Sequence, residues 1–121
     1  MADIRRRASR IILVSSETIN ATATFTSDVW NVTAGQKFAV YVDGLTGTTP
    51  DLNIDLIYYP GLNSGGMAVT ESVVAGLSSA PSTPYDALSI DDRPCKSLKC
   101  LVTGQGGNGV NTVLSLSIVM Y

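Results

Sequence analysis

Three glycines near the C-terminus, Gly104, Gly106 and Gly109, stand in the stretch "LVTGQGGNGVNTVLSLSIVMY" and spell G-x-G-x-x-G. That spacing serves dinucleotide binding when a strand leads into the glycines and a helix follows them. The helix N-terminus then holds the pyrophosphate. Here the segment after Gly109 alternates polar and apolar residues, and no acidic residue follows about 20 positions on. The pattern predicts a flexible hairpin loop between strands at 97–103 and 111–120. Replacing Gly104 or Gly106 is expected to matter only if that residue holds a positive φ.

A second candidate is Asp51, Asn53 and Asp55 in "DLNID", the opening of a calcium loop. The sixth position is Leu56 where glycine is needed, and the twelfth is Leu62 where glutamate is needed. The same residues read as the polar face of a strand. Asp91 and Asp92 next to Arg93 offer an ion site or a salt bridge, against the expected reading of a solvated loop. The chain contains no histidine, which removes the commonest general base and transition-metal ligand. No G-x-S-x-G elbow is present, and no carboxylate pair stands out. The expectation is a protein that is not an enzyme, with no catalytic residue, metal site or cofactor.

Cys95 and Cys100 are the two cysteines. In an extended strand they lie roughly 16 Å apart, whereas a disulfide needs Cα atoms within about 7 Å. "CKSLKC" has no glycine or proline to turn the chain, and the odd spacing puts the two on opposite faces. Two free thiols are expected, as in a reducing compartment. Asn20 and Asn31 open N-x-T sequons, read as coincidence because no secretory signal precedes them. Trp30, Tyr41, Tyr58, Tyr59 and Tyr85 offer material for a sugar-stacking platform. The alternative is a core Trp30, with the tyrosines at sheet edges or an oligomer contact.

The elements that must position these residues are strands. "INATATFT" alternates Ile19, Ala21, Ala23 and Phe25 with Asn20, Thr22, Thr24 and Thr26. Phe38, Val40 and Val42 form one face of a second strand, with Tyr41 on the other. Leu52, Ile54, Leu56 and Tyr58 face one way in a third. Leu98, Cys100 and Val102 do so in a fourth, and Leu114, Leu116, Ile118 and Met120 in the last. Weaker strand signals cover 10–16, 29–32, 68–75 and 86–90. Between them, 33–36, 43–51, 60–66 and 78–84 carry turn chemistry. The result is an all-β chain, a sandwich or closed barrel of eight or nine short antiparallel strands.

The 121 residues fit one domain, with 45% hydrophobic residues and 15% charged. No apolar run approaches the roughly 18 residues of a membrane helix. Neither a membrane partner nor secretion is expected. The net charge of −2 argues against a nucleic-acid partner. Four of the eight basic residues, Arg5, Arg6, Arg7 and Arg10, fall in the first ten positions. The chain thus divides into a basic arm, 1–9, and a sandwich domain, 10–121. These arginines are candidate partner-binding residues, since an arm of one sign on a body of the other often docks. The alternative is a solvated leader.

The stretches "VDGLTGTTPDLNIDLIYYPG" (42–61) and "SLKCLVTGQGGNGVNTVLSLSIVMY" (97–121) resemble those of small tailed-bacteriophage virion proteins of the capsid cement or decoration type. "YPGLNSGG" stands where "SPDGG" commonly follows in that family. The resemblance implies a β-sandwich of the jelly-roll type. It implies a non-enzymatic structural protein that cements or decorates a capsid by bridging major capsid proteins. A homo-oligomer, dimer or trimer, made in the host cytoplasm and carried on the virion surface, goes with that role. The alternative function is a carbohydrate-binding or tail-associated adhesion module.

Overall fold

The computed structural model describes residues 9–32, 37–86 and 95–120. Nine strands form among the described residues: β1 (Ser9–Ile19), β2 (Thr24–Thr26), β3 (Trp30–Asn31), β4 (Phe38–Thr46), β5 (Leu52–Tyr59), β6 (Val69–Leu77), β7 (Tyr85–Asp86), β8 (Ser97–Gly104) and β9 (Thr112–Met120). One 3-10 turn, Leu62–Ser64, interrupts the β5–β6 connection. Every pairing among the described strands is antiparallel.

One sheet has the order β1-β9-β4-β7. The other has β2-β8-β5-β6, with β3 continuing the β2 edge along β8. Taking β2 and β3 as one interrupted strand, successive strands alternate between sheets everywhere except at the β5–β6 pair. That connectivity is the jelly roll, a double-sheet way of limiting exposed edges. Ser27 spans the interruption. Its backbone N–H donates to the Cys100 carbonyl at 3.0 Å, and its Oγ accepts the Cys100 N–H at 2.9 Å.

The core lies between the sheets and is built by alternation. Leu52, Ile54, Leu56 and Tyr58 of β5 are buried, as are Leu98, Cys100 and Val102 of β8, and Leu114, Leu116, Ile118 and Met120 of β9. Beside the β9 residues, in the same sheet, Ile11, Leu13, Val14, Phe38 and Val40 of β1 and β4 complete the layer that packs against β5 and β8. At about 25 cal/mol per Å² of apolar surface removed from water, this layer is the main stabilising term.

Four expectations need correction. The alternation of "INATATFT" does not make one strand. β1 ends at Ile19, Ala21 turns at φ 47, and Ala21 and Ala23 are exposed. Hydrogen bonds from a distant loop capture this segment and override its pattern. The predicted 43–51 turn starts later, because β4 runs to Thr46 after a bulge between Val42 and Gly44 and keeps pairing with β9. The glycine loop is not a hairpin, since β8 and β9 belong to different sheets. Cys95 precedes β8 rather than lying in it, so strand alternation does not apply, and both cysteines face the core. The expected turn at 33–36 and most of the weak strand at 86–90 lie outside the described residues.

Candidate interaction surfaces

The glycine segment ends β8 and crosses to the other sheet at one end of the sandwich. No helix follows it; β9 does. Backbone bonds tie it to two other crossings. Gln105 N–H donates to the Asp51 carbonyl at 2.9 Å, Gly109 N–H to Thr49 at 3.0 Å, and Gly104 N–H to Ala23 at 2.9 Å. The centre of the junction is Asn108, which is 5% exposed. Its Nδ2 donates to the Ile19 and Ala21 carbonyls at 2.9 and 2.8 Å. Its Oδ1 accepts the Asp51 N–H at 3.1 Å and the Thr112 hydroxyl at 2.9 Å. Sequence reasoning passed over Asn108, because a polar residue in a glycine-rich turn looks solvated. The signal available was the lone asparagine among glycines, a residue able to donate and accept together.

Gly104 and Gly109 are needed for space rather than for φ. Gly104, Gly106 and Gly109 are absent from the residues with positive φ, which include Asn111 at φ 64 in the same loop. A Cβ on Gly104 would run into the Ala21 carbonyl oxygen, and one on Gly109 would stand 2.7 Å from Thr49 Oγ1. A Cβ on Gly106 would meet nothing. The loop is therefore a packed crossing without the strand–loop–helix frame of a nucleotide site.

Of the calcium-like residues, Asn53 and Asp55 lie on the outer face of β5, alternating with its buried leucines and isoleucine. Asn53 Oδ1 accepts the Gly76 N–H at 2.9 Å. Asp51 precedes the strand in the three-loop junction. Among the described residues no group of three or more His, Cys, Asp or Glu is placed to hold a metal ion. Asp91, Asp92 and Arg93 lie outside the described residues.

The aromatics do not assemble into a platform. Tyr58 and Tyr59 are buried, and Tyr85 is half-buried on β7. Trp30 on β3 and Tyr41 on β4 remain 40% and 39% exposed, but they belong to different sheets. The exposure of Tyr41 agrees with its position opposite Phe38 and Val40. Lys99 Nζ stands 5.9 Å from the Tyr59 ring centroid, within cation–π range. On the outer face of the β1-β9-β4-β7 sheet, the exposed Ile12 and Tyr41 flank Ser117 in register, and Ser117 is buried.

The sequon asparagines are both engaged. Asn20 Oδ1 accepts the Asn111 N–H at 2.8 Å. Asn31 exchanges two hydrogen bonds with Asn63, at 3.0 and 2.9 Å, and so pins the 3-10 turn against β3. The two cysteines are free and buried. Burial pushes each thiol up from the ordinary 9.0 to about 11, against the smaller opposing effect of nearby hydrogen bonds.

Of the four candidate arginines, Arg5, Arg6 and Arg7 lie outside the described residues. Arg10 is a residue of β1, facing Val119 of β9. Its guanidinium meets the Asp43 carboxylate at 2.7 Å, with the Arg10 side chain 57% exposed. Such an exposed pair adds about 0–1 kcal/mol. Among the described residues no helix is long and apolar enough to cross a membrane.

The sequence matches no protein-family model and no curated protein. Its fold does have solved counterparts. The structure of the infectious bursal disease virus Gx strain superposes with a TM-score of 0.60 at 19% identity, covering 94% of this chain and 31% of that one. The infectious bursal disease virus VP2 subviral particle gives 0.62 at 12% identity, covering 94% and 32%. The Gt strain of the same virus gives 0.55 at 13% identity, covering 97% and 41%. The chain therefore spans about a third of the length of the first two. At these identities the likeness is one of fold: an all-β sandwich similar to part of a viral capsid protein.

Proposed function

We propose that the chain is a non-enzymatic structural component of a virus particle that cements or decorates the capsid surface by bridging subunits of the major capsid protein. The observation that carries this reading is the jelly-roll fold shared, over nearly the whole chain, with proteins of infectious bursal disease virus. One of these is a VP2 subviral particle and another forms derived T=1 particles. The phage-like stretches at 42–61 and 97–121 support a cement or decoration role within that broader class. The dispersal of Trp30 and Tyr41 over different sheets favours it over a sugar-binding platform.

In this reading Arg5, Arg6, Arg7 and Arg10 contact carboxylates of the capsid subunit through charge-assisted hydrogen bonds. Each is weak alone, and many copies around one particle multiply the effect through avidity. Copies of the chain associate as a dimer or trimer. The protein is made in the host cytoplasm and resides on the virion.

The test is gradient fractionation of lysates from infected cells, followed by immunogold labelling of the particle fraction. Co-migration with heads and label on their outer surface are expected. Recovery of the protein only in the soluble fraction, with unlabelled heads, would overturn the proposal.

A further inference from the structure

We propose that Asn108 is a deamidation site gated by folding: the native three-loop junction protects it, unfolding exposes it, and conversion then bars the chain from returning to the native state.

Asn108–Gly109 is the one Asn-Gly pair in the sequence. Glycine after asparagine leaves the next backbone nitrogen unhindered by a side chain and free over a wide range of φ and ψ. In that setting the Gly109 amide nitrogen, on losing its proton to hydroxide, attacks Asn108 Cγ. A C–N bond closes a five-membered succinimide. The bond from Cγ to the side-chain nitrogen breaks, and the nitrogen leaves as ammonia after taking a proton from water. A second water opens the ring at either carbonyl, giving aspartate or isoaspartate. Water is the only co-reactant, and no electron is transferred.

The folded protein opposes each part of this sequence. The attacking nitrogen is engaged, because Gly109 N–H donates to the Thr49 carbonyl at 3.0 Å. The electrophile is immobilised, because the Asn108 side chain makes four hydrogen bonds, two through each polar atom. Asn108 is 5% exposed, which limits access of hydroxide. Attack therefore requires the junction to open, and the native rate is the unfolded rate multiplied by the small open fraction.

The product does not fit the site. An aspartate places a carboxylate oxygen where Nδ2 now donates to the Ile19 and Ala21 carbonyls, so that acceptor faces acceptor in a buried position. The charged form there is strongly disfavoured. An isoaspartate also lengthens the backbone by one methylene. That shifts Gly109, whose carbonyl accepts the Ala21 N–H at 3.1 Å. Either product disconnects the loops at 20–23, 47–51 and 105–111.

The experiment holds the full-length protein, with reductant present, under three conditions: folded at mildly alkaline pH, unfolded in urea at the same pH, and unfolded in urea at mildly acidic pH. Peptide mass spectrometry follows the amide-to-acid exchange at each asparagine. Dilution from urea measures the recoverable native fraction. In alkaline urea, Asn108 should convert ahead of the other asparagines, and refolding yield should fall in step with that conversion. In the folded protein, conversion at Asn108 should be slower by on the order of a hundredfold or more, reflecting the rare opening. In acidic urea, where the amide nitrogen keeps its proton, both the amide and the refolding yield should be retained. Equal rates in the folded and alkaline unfolded protein would overturn the gating. A converted chain that refolds with an unchanged unfolding midpoint would overturn the lock. Asn108→Asp should fail to fold or should show a lowered midpoint that recovers as pH falls and the acid regains a donor. Because a failure to fold is itself uninformative about gating, the wild-type holding series decides.

Discussion

The glycines of one loop are not equally required. Gly104 accommodates the Ala21 carbonyl, whereas Gly106 stands in open space. Gly104→Ala is therefore expected to lower stability by about 1–3 kcal/mol, the usual cost of overpacking. Gly106→Ala should be neutral or slightly stabilising, because it restricts the unfolded chain without strain. Urea unfolding midpoints of the two variants check the contrast, and equal effects would contradict the close approach at Gly104. The cysteines make a second prediction at this scale. Their folded pKa, about 11, lies above the ordinary 9.0. The unfolded chain thus releases its thiol protons first. The stabilisation is complete below about pH 9 and is lost as pH rises towards 11. Unfolding midpoints should fall across that window, and Cys95→Ala with Cys100→Ala should flatten the fall. Denaturation without reductant should expose both thiols to a thiol reagent.

At the scale of the element, the interrupted β2–β3 edge depends on Ser27. The Ser27 hydroxyl stands in for the strand partner that Cys100 N–H would otherwise find. Ser27→Ala leaves that buried N–H without an acceptor, at an expected cost of about 1–3 kcal/mol. Hydrogen exchange at the Cys100 amide should accelerate markedly, while β9, in the other sheet, is unaffected. Exchange unchanged at Cys100 would show that the edge does not rely on the serine. The short, broken edge has a further consequence, because it offers a neighbouring chain little continuous backbone to pair with.

For the whole molecule, chain ends contribute unequally. β9 sits between β1 and β4, so the last strand in sequence is central in its sheet. Removing Thr112–Met120 separates the strands at 9–19 and 38–46 and should abolish cooperative unfolding. Removing residues 1–8 leaves every described strand whole and should leave Tm nearly unchanged. Under the proposed particle role the same truncation weakens attachment at low salt, because Arg5, Arg6 and Arg7 are lost. The difference from the full chain should narrow at high salt, where screening weakens both. A truncated protein that binds particles as tightly as the full chain at low salt would show the arm to be a solvated leader. Pairing β1 with β9 joins the first and last described strands, and such long-range contacts predict folding in the millisecond-to-second range.

The sequence by itself determined the all-β class and most inward-facing positions. A period of two is a local property, and burying one face of a strand leaves alternation no other reading. Leu52, Ile54, Leu56 and Tyr58 were legible for this reason, as were the faces of β8 and β9. That a strand and not a helix follows the glycine motif was legible too, because the residues after Gly109 alternate. Only the tertiary structure decided which strands share a sheet, since alternation says nothing about partners. That is why a crossing between sheets looked like a hairpin. Ile19 to Phe25 looked like one strand because nothing local marks carbonyls that Asn108, far along the chain, will claim. The junction at 20–23, 47–51 and 105–111 exists only where three distant loops meet, so its central residue carried no periodic signal. Its hydrogen bonds are long-range in sequence, and only the assembled sandwich brings their partners within reach.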